Sequence, residues 1–98
     1  MSLFELGAVL MTAEVARMVE EEDGAIGTVL DCLQRHSEGD WGNLCEEDRR
    51  MNDEAIEAKR EGGDTDRLFS AYETEIGKLY VITEWDRSTT TVLTPEDY

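Results

Sequence analysis

Apolar positions change their spacing twice along the chain, and the changes divide it into elements. Residues 3–12, LFELGAVLMT, are apolar and partly alternating, which predicts a first strand ending at Thr12. From Thr12 the spacing turns helical. The Thr12 hydroxyl can accept from the first free N–H groups, Glu14 suits the first turn, and Val15 and Met18 follow on one face. A short helix over 13–22 results, broken by Gly24. The next stretch, AIGTVLDCLQRH, places Ile26, Val29, Leu30 and Leu33 at i, i+3, i+4 and i+7, so these four are expected to form the buried stripe of a second helix. The glycines and turn-formers of SEGDWG, residues 37–42, predict a loop.

A third helix is expected from Leu44 to Arg60, a breaker-free run of good helix formers. Its apolar stripe is thin, comprising Leu44, Met51, Ala55 and Ala58 with Asp48 interrupting, so one narrow face should dock. EGGDTD, residues 61–66, supplies glycine to end it. The period then becomes that of strands: RLFSAYETE, KLYVITEWD and STTTVLT are rich in aromatic and branched residues. The short joins at 76–77 and 86–88 predict an antiparallel meander, stopped by Pro95. The expected fold is α+β: an N-terminal strand, three helices, then a three-stranded antiparallel meander packed against them. With no repeat or linker, residues 1–98 read as one domain, with a helical half over 12–60 and a meander over 67–94.

Composition narrows the function classes. A chain of 98 residues has one small core and buries roughly 65% of its unfolded surface, which leaves no room for a deep substrate cavity. The net charge is -15, from 24 acids against 9 bases. Residues 1–40 hold nine acids and two bases, so the helical half is the more negative one. Such a field repels nucleic acid and anionic lipid and attracts basic partners. No apolar run approaches the ~20 residues of a membrane span and no signal-like start is present, so a soluble cytoplasmic protein is expected. Cys32 and Cys45 are expected to be reduced thiols there.

The stretch HSEGDWGNLCEEDRRMND, residues 36–53, is the place to look for chemistry. Cys32 and His36 lie four apart on the second helix and Cys45 nine further on. Zinc asks for three or four ligands with paired close spacings, and this chain has one histidine and no Cys-x-x-Cys, so no metal site is expected. A cysteine and histidine on one helical turn meet the minimum for a nucleophile and its base but leave little cleft between them. The reading favoured for these residues is structural: Cys32 as a small buried group, and His36 at a helix end where its positive form suits the dipole. Glycine patterns for phosphate or dinucleotide cofactors are absent, and no cofactor is expected. Trp41 in the loop and Trp85 near the end of the third strand could pin the fold or anchor a partner. Asp86 and Arg87 belong to a hairpin tip, as turn chemistry or as a recognition edge. With the acids Glu46, Glu47, Asp53 and Glu57 of the third helix, these form the candidate partner-binding set.

Three segments, SEGDWGNLCEEDRRMND, RLFSAY and VITEWDRSTTTVLTPEDY, are together similar to a family of small acidic bacterial proteins of plasmids and integrated mobile elements. Members carry GDWG after a helix, an acidic EEDR helix, LSAY in a strand and a closing ITEADRS-TTVLLPEEY. The likeness covers most of residues 28–98, with Phe69 in place of leucine, Trp85 in place of alanine and a longer insertion around 57–66. The resemblance implies an accessory protein of a mobile element and assigns no chemistry. The function expected is therefore non-enzymatic: a binding protein acting on a protein partner, with a basic DNA-handling protein as the candidate, or pairing as a homodimer through an open strand edge or the thin helix face. The alternative is a DNA-mimic inhibitor of a host defence system, of restriction or CRISPR type, or of another DNA-binding protein. Duplex DNA carries one charge per ~1.7 Å, so fifteen charges match about 26 Å of duplex, comparable to the span of a domain this size.

Overall fold

A computed structural model describes residues 2–63 and 65–98. The elements run β1 (Ala8–Met11), α1 (Ala13–Glu21), α2 (Ala25–Ser37), α3 (Glu46–Arg60), β2 (Leu68–Thr74), β3 (Gly77–Thr83) and β4 (Thr89–Leu93), followed by a single 3-10 turn at Pro95–Asp97. The class is α+β, as expected. The meander β2-β3-β4 is antiparallel throughout, with Tyr72 opposite Leu79 and Val81 opposite Val92. It is not the whole sheet: β1 adds to it in parallel with β4, Ala8 opposite Thr89, giving four strands in the order β1-β4-β3-β2.

Thr12 caps α1 by accepting from the Val15 N–H at 3.4 Å, and Gly24 breaks the helices in the left-handed region at φ 80. The first strand is shorter than its apolar run. Gly7 lies against the Arg87–Ser88 backbone at φ 66, where a Cβ would stand 2.3 Å from the Ser88 carbonyl oxygen, so the regular strand begins only after it.

One face of the sheet packs on α1 and α2. Val15, Val29, Cys32 and Leu33 meet Tyr72, Leu79, Val81 and Val92 in the main core. The α2 stripe expected from the sequence is thus corrected. Its buried side is Ala25, Val29, Cys32, Leu33 and His36, whereas Ile26 and Leu30 are exposed. The rotation follows from His36, whose two ring nitrogens find hydroxyl partners on the strands and so bring the cysteine–histidine side inward. The α3 expectation is corrected as well. The helix starts at Glu46, docks through Asn52, Ala55 and Ile56, and leaves Met51 exposed. A second cluster forms there from Trp41, Ala55, Ile56 and Leu68, with Phe4 and Leu44 packed against it.

Candidate protein-binding edge

A four-stranded open sheet has two outer edges, and this one treats them differently. The β2 edge is closed by polar groups. The Asn52 side chain on α3 donates Nδ2 to the Phe69 carbonyl at 2.7 Å and accepts from the Phe69 N–H at 3.2 Å. Two residues on, the Trp41–Asn43 loop continues the pairing, as Ala71 N–H donates to Trp41 O and Asn43 N–H donates to Ala71 O. An asparagine amide and a loop thereby occupy the groups that would otherwise template another chain.

The β1 edge has no such cover among the described residues. Ala8 N–H donates to Ser88 O at 2.9 Å and Thr12 N–H to Val92 O at 3.1 Å, so by the two-residue period the backbone groups of Ala8, Leu10 and Thr12 serve β4. The N–H and C=O of Val9 and Met11 therefore point away from the sheet. All four residues of β1 are exposed, with Val9 at 47%, Leu10 at 49% and Met11 at 40%. No charge, proline or bulge, three of the devices that keep natural edges from pairing, interrupts its four residues. The apolar side chains project to both faces, Val9 and Met11 on one and Leu10 on the other.

The candidate residues read from sequence are not gathered on one surface. Trp41 is buried and donates Nε1 to Asp53 at 2.9 Å, so this pair pins the loop to α3. Glu46 and Glu47 occupy the first turn of α3, whose cap residue Cys45 makes no side-chain bond, and their charge complements the helix dipole there. Glu57 is exposed and lies 3.8 Å from Arg60. Trp85 is 62% exposed and sits beyond the end of β3, in the turn that leads into β4. That turn meets the start of β1 through the Ala8–Ser88 hydrogen bond. Asp86 accepts from both the hydroxyl and the N–H of Ser88, and these bonds hold its carboxyl below the usual range. Arg87 is corrected from surface residue to buried one. Only 8% exposed and at φ 60, it turns its guanidinium inward onto backbone carbonyls.

Cys32 is the small buried group expected, whereas the reading of His36 as a positive residue at the helix end is corrected. His36 is fully buried, and burial, assisted by the Arg87 charge, pushes its pKa down to about 3, so it is a neutral core residue and supplies no positive charge to the helix end. Its proton position follows from the chain of hydroxyls. Thr90 donates to the Leu6 carbonyl at 2.7 Å, so Thr83 must donate to Thr90, and His36 Nε2–H donates to Thr83 at 2.9 Å. Nδ1 is left to accept from Ser70. Every polar atom of this network is committed and none faces a cleft. Burial pushes the Cys32 thiol up to about 11, away from the reactive range, and Cys45 is exposed on another element. Among the described residues no cluster of three or more His, Cys, Asp or Glu is placed to hold a metal ion, and no helix is long and apolar enough to cross a membrane.

An open strand edge is among the surfaces expected from the sequence, without a strand assigned to it; the signal that singles out β1 is that AVLMT carries no charge in a chain that is 34% charged. Comparison with protein-family models, with curated proteins and with solved structures finds no match to this chain.

Proposed function

We propose that this chain is a non-enzymatic binding protein that takes an extended, cationic segment of a partner protein as a fifth strand along β1, in the accessory role that its resemblance to mobile-element proteins implies. The observation that carries this reading is the contrast between the two edges. One is closed by Asn52 and the Trp41–Asn43 loop, while the other offers two N–H and two C=O groups flanked by exposed apolar side chains. Strand addition uses these features, the main chain supplying affinity and alternate side chains supplying selectivity.

Charge selects the occupant. Two copies would each bring a net charge of -15, which opposes self-pairing through an edge only four residues long. A basic segment is attracted by the same field. Mimicry of DNA draws less support, because blocks of acids on α3 are interrupted by Arg49 and Arg50 and closed by Lys59 and Arg60, and Glu57 and Glu54 have basic neighbours within 4 Å.

The test is selection of random decapeptides displayed against the full chain, followed by NMR mapping of the enriched peptides. Alternating basic and apolar sequences are expected, shifting the amides of residues 8–12 and releasing with salt. Val9→Pro removes only an outward N–H and leaves the β4 ladder in place, so it should abolish capture while the protein stays folded. Enriched peptides that map elsewhere, or that bind Val9→Pro equally well, would sink the proposal.

A further inference from the structure

Three of the nine bases of this chain converge on one place. Lys59 and Arg60, in the last turn of α3, and Arg87, in the β3–β4 turn, line one cavity of about 410 Å³ whose apolar wall is Leu3, Phe4 and Ile56. Glu5 and Asp86 also reach it, leaving the lining with a net positive charge in a chain of net charge -15.

Arg87 is the unusual member. It is more than nine-tenths buried, yet among the described residues its hydrogen-bond partners are all neutral. Nη1 donates to the carbonyl oxygens of Asp66, Glu84 and Trp85, and Nη2 donates to the Thr65 hydroxyl at 3.2 Å. Its Nε–H is buried with no hydrogen-bond partner among the described residues. The guanidinium carbon stands 5.9 Å from the centre of the Phe4 ring, so the cation lies beside the apolar wall of the cavity. Among the described residues this buried cation is bonded only to dipoles, with the Asp86 carboxylate as the opposite charge acting on it, and it keeps the unusual φ of 60 that directs it inward.

We infer that this cavity is a binding site for a small organic carboxylate with an apolar body. The carboxylate would sit at the rim, where Lys59 and Arg60 are exposed and Arg60, 3.8 Å from Glu57, would exchange that carboxylate for the ligand's. The body would lie on Leu3, Phe4 and Ile56, and the Arg87 charge beneath would act through its field without direct contact. The volume lies within the usual range for small-molecule sites, and the mix of an apolar wall with a few convergent charges is their usual lining.

Sodium benzoate is the probe and neutral benzamide its control, each titrated into the full chain and followed by amide NMR shifts. Benzoate should give saturable shifts confined to residues 3–5, 56–60 and 85–87, with a Kd about tenfold below that of benzamide. The exposed pair Lys59→Gln and Arg60→Gln, which leaves the core untouched, should raise the benzoate Kd by about tenfold and leave that of benzamide unchanged. Equal affinity for the two probes, shifts that do not saturate or lie elsewhere, or unchanged benzoate binding in the double variant would each overturn the assignment.

Discussion

Lowering the pH from 8 to 5 should weaken the fold through His36 alone. The folded pKa lies near 3 and the ordinary value near 6.5, so the unfolded chain takes up the proton first. A group whose pKa is depressed on folding stabilises the native state fully above the unfolded value. That contribution drains away as pH falls through 6.5 towards 3. The slope is at most about 1.4 kcal/mol per pH unit, and linkage gives a loss of about 2 kcal/mol between pH 8 and pH 5, approaching about 5 kcal/mol near pH 3. Against a typical domain stability of about 5–15 kcal/mol this is easily measured.

The window is clean because His36 is the sole histidine and carboxylates titrate mainly below pH 5. Relief of self-repulsion among the 24 acids acts in the opposite direction and at lower pH. Urea unfolding followed by fluorescence of the buried Trp41 is the assay. His36→Gln should be less stable at pH 8 by about 1–3 kcal/mol, since the Ser70 and Thr83 hydroxyls lose their partner, and its stability should be nearly flat down to pH 5. A wild-type profile that is flat over this range, or a variant that keeps the slope, would refute the buried neutral histidine.

Gly42→Ala should destabilise by on the order of 3 kcal/mol, because a Cβ there would stand 2.1 Å from the Ala71 carbonyl oxygen at φ 77, whereas Gly24→Ala, with open space around it, should cost about 1 kcal/mol; thermal melts compare them. Asn52→Ala leaves the Phe69 N–H and carbonyl unpaired, so a loss of about 1–3 kcal/mol and faster aggregation by light scattering are expected. Native protein treated with iodoacetamide at pH 8 should gain one adduct by mass, on exposed Cys45, and a second on Cys32 only after unfolding.

What the sequence reveals is what depends on neighbours in the chain. The Thr12 cap, the Gly24 break and the three strands of the meander rest on residues within a few positions of each other, and each is present. What escaped reading depends on distant partners. Ile26 and Leu30 are the more hydrophobic choice for the buried side of α2, but Ser70 and Thr83, which lie 34 and 47 residues beyond His36, draw the opposite side inward. Asn52 looks like a solvent-facing helix residue until β2 is placed beside it. Trp41 and Asp53 were sensible interface candidates by type, and only their hydrogen bond shows that they satisfy each other.

The pairing of β1 with β4 also sets when the fold can be completed. Ala8 waits for Thr89, 81 residues later, and at translation rates of about 5–20 residues per second that is an interval of about 4–16 s on the ribosome. The hairpin of β2 and β3 forms from local contacts, but β1 has no strand to join until β4 emerges, and such non-local closure is slow. During that interval Val9, Leu10 and Met11 have no strand on either edge, and the acidic segments that follow them set a like-charge repulsion against pairing between copies.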